Sequence, residues 1–115
     1  MRSGWLLHNG DVVCALELAE TSQERRRGLR LSGGERPAGA VALSGVRVLH
    51  GVGLAESIDL AFLADDLTVV RVTRLSPWGL ALCPRGVSRV LHAEAGAFER
   101  WGVAAGLQLE IREVS

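Results

Sequence analysis

Asn9-Gly10 stands between two apolar runs, Trp5-Leu6-Leu7-His8 and Asp11-Val12-Val13-Cys14-Ala15-Leu16-Glu17-Leu18. Asparagine and glycine tolerate the positive φ that a two-residue type I′ turn demands at both central positions. The pair predicts a β-hairpin, with Val12, Cys14, Leu16 and Leu18 sharing one face of its second strand. The same grammar continues along the chain. Residues 40–50 predict two strands broken at Ser44-Gly45. Ile58 to Leu63 and Leu67 to Arg74 predict a strand pair turning at Ala64-Asp65-Asp66. Ser76-Pro77 ends the second of these, because proline cannot donate to a ladder. Gly79 to Cys83, Val87 to Ala93 and Leu107 to Arg112 complete the set, the last with Leu107, Leu109 and Ile111 inward.

Two short helices interrupt the strands. Thr21-Ser22-Gln23-Glu24 matches a capping box and predicts a helix through about Leu29. Ala95 to Trp101 predicts a second, with Gly102 as the left-handed residue that ends it and Phe98 and Trp101 on one core-facing side. The expectation is a single domain over residues 1–115, mainly β with two short helices (α+β). Local hairpins dominate, so the sheet is expected to be mainly antiparallel, as a sandwich or partly open barrel.

Charge and composition exclude several functions. Thirteen basic residues balance thirteen acidic ones, which removes the basic footprint of a nucleic-acid binder. All thirteen are arginine, so lysine Schiff-base chemistry is excluded. No apolar run approaches the ~18 residues needed to span a bilayer. His8-Asn9-Gly10 interrupts the N-terminal apolar residues before a signal peptide could form, and a cytoplasmic location is expected. Cys14 and Cys83 are the only cysteines, open to pairing or to burial as separate thiols. No Gly-x-Ser-x-Gly, Cys-x-x-Cys or His-x-x-x-His spacing occurs, and Gly51-x-Gly53 does not extend to a phosphate loop because Glu56 occupies the third glycine position. No cofactor or metal is expected. Arg25-Arg26-Arg27 reads as the solvated face of the first helix.

Several motifs occur in order: Thr21-Ser-Gln-Glu-Arg-Arg-Arg-Gly-Leu29, Ile58-Asp59-Leu60-Ala61-Phe62, Pro77-Trp78, and Ala95-Gly96 followed by Gly102-Val103 and Gly106. Together they resemble the DUF192 (UPF0127) family, over roughly Val12 to Val114. The resemblance implies a β-sandwich-like or barrel-like body with two short helices, and no agreed activity. Typical members carry Phe-Trp-Met-Lys-Asn-Thr before the Asp strand. This chain has Leu49, His50, Gly51, Val52, Gly53 and Leu54 there, and Ser57 in place of a proline.

The candidate site is therefore the segment these landmarks frame. Asp59, flanked by apolar residues, is a candidate ligand anchor or base. His50 is a candidate base, Trp78 a candidate pocket wall, and Gly51 and Gly53 leave the intervening loop free to close on a ligand. The leading reading is a non-enzymatic β-rich domain that binds a small molecule or a protein partner. A second makes Asp59 and His50 the acid–base pair of a hydrolase or lyase. A third is an accessory protein acting as a homodimer or hetero-complex, which a contiguous exposed apolar patch would favour.

Overall fold

The computed structural model describes residues 2–19 and 39–114. Among them are strands β1 (Arg2–His8), β2 (Asp11–Ala19), β3 (Gly39–Ser44), β4 (Val48–His50), β5 (Ile58–Ala64), β6 (Val69–Leu75), β7 (Leu80–Leu82), β8 (Val87–Glu94) and β9 (Glu110–Val114). One four-residue helix, α1 (Ala97–Arg100), precedes β9. The helix expected from Thr21 to Leu29, with its three arginines, lies outside the described residues, so one of the two expected helices is seen.

Seven strands form one sheet in the order β6-β5-β8-β3-β2-β1-β9, and β4 and β7 form a separate ribbon. Asn9 and Gly10 adopt φ of 51° and 83°, and β1 and β2 pair antiparallel as the turn chemistry requires. A register shift at Leu6/Leu7 then alters the expected face. Leu6 opposes Cys14 and Leu7 opposes Val12, so Val13 is the extra, bulged residue. Cys14, Leu16 and Leu18 are buried as alternation predicts, whereas Val12 is exposed beyond the bulge.

The sheet is mainly antiparallel, as expected, with one exception. β2 and β3 run parallel, Ala15 to Ala19 beside Gly39 to Leu43, so the sheet is mixed. Parallel neighbours need a crossover rather than a hairpin, and no local turn signal reports one. The sandwich and barrel expectations change as well. The sheet curls until the start of β6 meets the segment leading into β9, through Val69 N–H to the Leu107 carbonyl (2.8 Å), Gly106 N–H to that of Val69 (2.8 Å) and Leu109 N–H to that of Leu67 (3.0 Å). It does not close into a barrel.

Two apolar cores result, one on each face of the central strands. The first gathers Leu16, Leu18, Ala61, Leu63, Val69, Leu91, Phe98 and Leu109 inside the curl, beneath α1. The second gathers Val41, Leu43, Ile58, Leu60, Phe62, Leu75 and Val90, and the ribbon closes it with Leu49 and Ala81. β5 feeds both cores, and six of its seven residues are buried. Each large apolar side chain buried this way stabilises the fold by about 1.5–3 kcal/mol. Cys14 belongs to the first core and Cys83 packs against the second, so they are not joined. No helix of the described residues is long and apolar enough to cross a membrane.

Candidate functional site

Asp59 lies on β5 between Ile58 and Leu60, which point into the second core, so alternation turns it to the first-core side beneath α1. It is 6% exposed. Arg74 Nε donates to Oδ1 at 2.9 Å, from the directly opposed position on β6. The Gly96 N–H donates to Oδ2 at 2.8 Å. Both carboxylate oxygens are thus engaged, and one side chain ties β5, β6 and the turn into α1 together. The hydrogen bond from Arg74, and then the negative charge of Asp59, raises the guanidinium pKa above its usual value. An open cleft of about 480 Å³ lies alongside, lined by Asp59, Thr73, Arg74, Glu99 and Gly102 among others.

The local sequence explains why that turn sits where it does. Gly96 adopts φ of 87°, a conformation that strains any residue with a Cβ, and so directs its N–H back at Asp59. The far end of α1 closes as a Schellman motif. The Val103 N–H donates to the Phe98 carbonyl (2.8 Å) and the Gly102 N–H to that of Glu99 (3.1 Å), with Gly102 at φ 73°. Phe98 and Val103 are buried in the first core, and Trp101 meets Phe98 edge-on at 5.8 Å. Asp59 therefore anchors the start of a helix that is held otherwise by apolar packing and by an exposed ion pair from Arg100 to Glu94.

His50, Gly51, Gly53 and Trp78 belong to the opposite side of the molecule. β4 and β7 pair with Val48 opposite Leu82, Leu49 opposite Ala81 and His50 opposite Leu80. Leu49 and Ala81 are buried, so the other four positions face outward. The ladder extends one step through the Gly51 N–H to the Gly79 carbonyl at 2.9 Å. There two turns lie flank to flank. In one, the Leu54 N–H reaches the Gly51 carbonyl (3.1 Å); in the other, the Gly79 N–H reaches that of Ser76 (2.9 Å). A Cβ on Gly51 would overlap the Ser76 carbonyl oxygen, so only glycine permits this approach. Gly53 has φ of 89° in open space, where glycine serves the turn and not a contact.

These turns bury Leu54 in the second core and leave their remaining apolar residues in solvent. Trp78 is 84% exposed, Leu80 68%, Leu82 61%, Val52 58% and Val48 50%. A Trp–Leu–Val surface of this kind around a three-residue ribbon has no folding role on its outer side. Residue typing singled out His50, Gly51, Gly53 and Trp78 but missed Val48, Val52, Leu80 and Leu82. A signal was available: in Leu80-Ala81-Leu82 the small residue alternates with two large ones, so burying Ala81 turns both leucines outward.

The arrangement separates Asp59 from His50. Asp59 faces the first core with both oxygens occupied, while His50 points outward from the ribbon covering the second. The acid–base pair is corrected accordingly, since the main sheet stands between its members.

Among the described residues, three of the motifs on which the resemblance rests occupy defined structural positions: Asp59 at the strand latch, Pro77-Trp78 at the ribbon turn and Gly102-Val103 at the helix stop. The DUF192 family profile, described as "Uncharacterized ACR", matches residues 5–111. The chain belongs to the DUF192 family. Two solved structures share its fold. One, from Sinorhizobium meliloti 1021 and described as a candidate transcription regulator, aligns with a TM-score of 0.76 at 22% identity, over 96% of this chain and 92% of the other. The other, a protein of unknown function from Novosphingobium aromaticivorans DSM 12444, aligns with a TM-score of 0.74 at 18% identity, over 94% and 83%. No curated protein matches the sequence. At these identities the neighbours of this DUF192 chain establish its fold alone.

Proposed function

We propose that this DUF192 chain is a binding domain, and that it engages a protein partner through the outer face of the β4–β7 ribbon. The observation that carries the reading is the exposure of Val48, Val52, Trp78, Leu80 and Leu82 together on one small element. Folding gains nothing from leaving a tryptophan and two leucines in water, whereas a partner that covers them removes apolar surface from solvent. His50 supplies a hydrogen-bonding group amid this surface, and Gly51 fixes the turn that presents Trp78. Asp59 serves the scaffold by holding α1. The regulatory description of the Sinorhizobium neighbour does not extend to DNA contact here, because the chain's charges cancel.

The test is a photo-crosslinking residue introduced in cells at Leu80 and, as a control on the far sheet, at Arg112. A discrete adduct at position 80 that is absent at 112 and lost on Leu82→Glu is expected. No adduct from position 80 would overturn the reading.

A further inference from the structure

We infer that the partner for this ribbon is a second copy of the chain, stacked face to face across a two-fold axis; the inference rests on the binding reading above. Three observations support it. The first is charge. The four outward strand positions, Val48, His50, Leu80 and Leu82, include no Asp, Glu or Arg. Two such faces stack without burying an unpaired charge, and nothing on them selects an acidic or basic partner. The zero formal net charge of the whole chain removes long-range repulsion between copies.

The second is shape. An antiparallel ribbon is nearly symmetric about its own centre, here the inward Leu49–Ala81 pair. Its neutral outer face can serve an isologous contact, in which one patch serves both subunits. Stacked sheets sit about 10 Å apart, so four outward side chains from each copy interdigitate without moving the main sheet. Trp78 stands at one end of the ribbon, where a two-fold axis would carry it across the end of the other copy.

The third is area. The five apolar residues are each at least half exposed, and a pair of copies would have to cover nearly all of them to reach about 1,200 Å², the lower limit for a specific interface. The dimer is accordingly expected to be weak and concentration-dependent, with no covalent or metal link.

Sedimentation equilibrium on the full chain, from about 1 µM to about 1 mM, tests this over the range where such interfaces associate. The expected result is an apparent mass rising from 12.3 kDa toward twice that value, with tryptophan emission shifting to the blue. Leu80→Glu should leave the circular dichroism unchanged and weaken association about a hundredfold, because it buries a charge. Val48→Ser provides a second variant in case the first disturbs folding. A wild-type dimer that survives both substitutions would overturn the inference by placing association elsewhere. A wild type that stays monomeric across the range would overturn it as well. In that second case the crosslink at position 80 separates the two readings. An adduct of another mass, or Leu80-dependent sedimentation with anionic phosphatidylserine vesicles, means the face docks something else. With no adduct, the protein-binding reading falls too, whatever the vesicles do.

Discussion

The two sides of β5 solve opposite problems with similar materials. On the first-core side a charged residue, Asp59, is buried, and both carboxylate oxygens are satisfied by Arg74 and Gly96. On the second-core side a ribbon of neutral residues covers the core with Leu49 and Ala81, then leaves Trp78, Leu80 and Leu82 in water. The polar residue that resembled a site is part of the frame. Trp78, Leu80 and Leu82 form an open surface. Polar and apolar character alone do not tell frame from open surface; the neighbours of each side chain do.

Substitutions should separate the two sides, with the largest effect at Asp59. Asp59→Ala leaves the Gly96 N–H and the Arg74 guanidinium without their acceptor and should cost about 3 kcal/mol, read by urea denaturation. A change below about 1 kcal/mol would show that the remaining contacts of α1, led by Phe98 and Val103, hold it without Asp59.

Gly51→Ala comes next. It should cost about 2 kcal/mol, because its methyl group meets the Ser76 and Pro77 backbone and must push the Trp78 turn away. Gly53→Ala, where no atom lies near the added Cβ, should cost about 1 kcal/mol through its positive φ alone. Equal losses at the two glycines would contradict the flank-to-flank packing of the turns.

Trp78→Ala should fall within about 0.5 kcal/mol of wild type in dilute solution, since so exposed a ring contributes little to the monomer. A large loss there would mean that Trp78 is part of the frame and would erase the contrast with Asp59.

The smallest effect concerns pH. The Thr68 backbone N–H donates to Asp66 Oδ1 at 3.0 Å, holding that exposed carboxyl below its ordinary value near 3.8. A lowered folded-state pKa contributes stability above the unfolded value, lost as pH falls through the folded one. Asp66→Asn should therefore remove this small contribution at neutral pH, where the carboxylate is charged, and so flatten the acid limb of the stability profile below about pH 4. An unchanged acid limb would show that this turn does not couple to folding.

Much of the fold was written locally. Asn9-Gly10 specified its hairpin, Gly102 specified the helix stop, and the alternation of Leu107, Leu109 and Ile111 specified their inward side, because each depends on φ preference or side-chain period within a few residues. The site was legible in part. His50, Gly51, Gly53 and Trp78 fall together, while Asp59 does not join them. The bond from Gly96 to Asp59 spans 37 residues, and no pattern near either one announces it.

The amino-acid order by itself determined that this chain would be β-rich, where most of its strands would begin and end, and which helix terminus would close. Those choices follow from steric preferences each residue carries with it. Only the tertiary structure decided that β2 and β3 run parallel, that β5 is covered on both sides, and that the ribbon's outer residues stay uncovered. Burial is a property of what lies on the far side of a side chain, and that neighbour is supplied by distant segments of the chain.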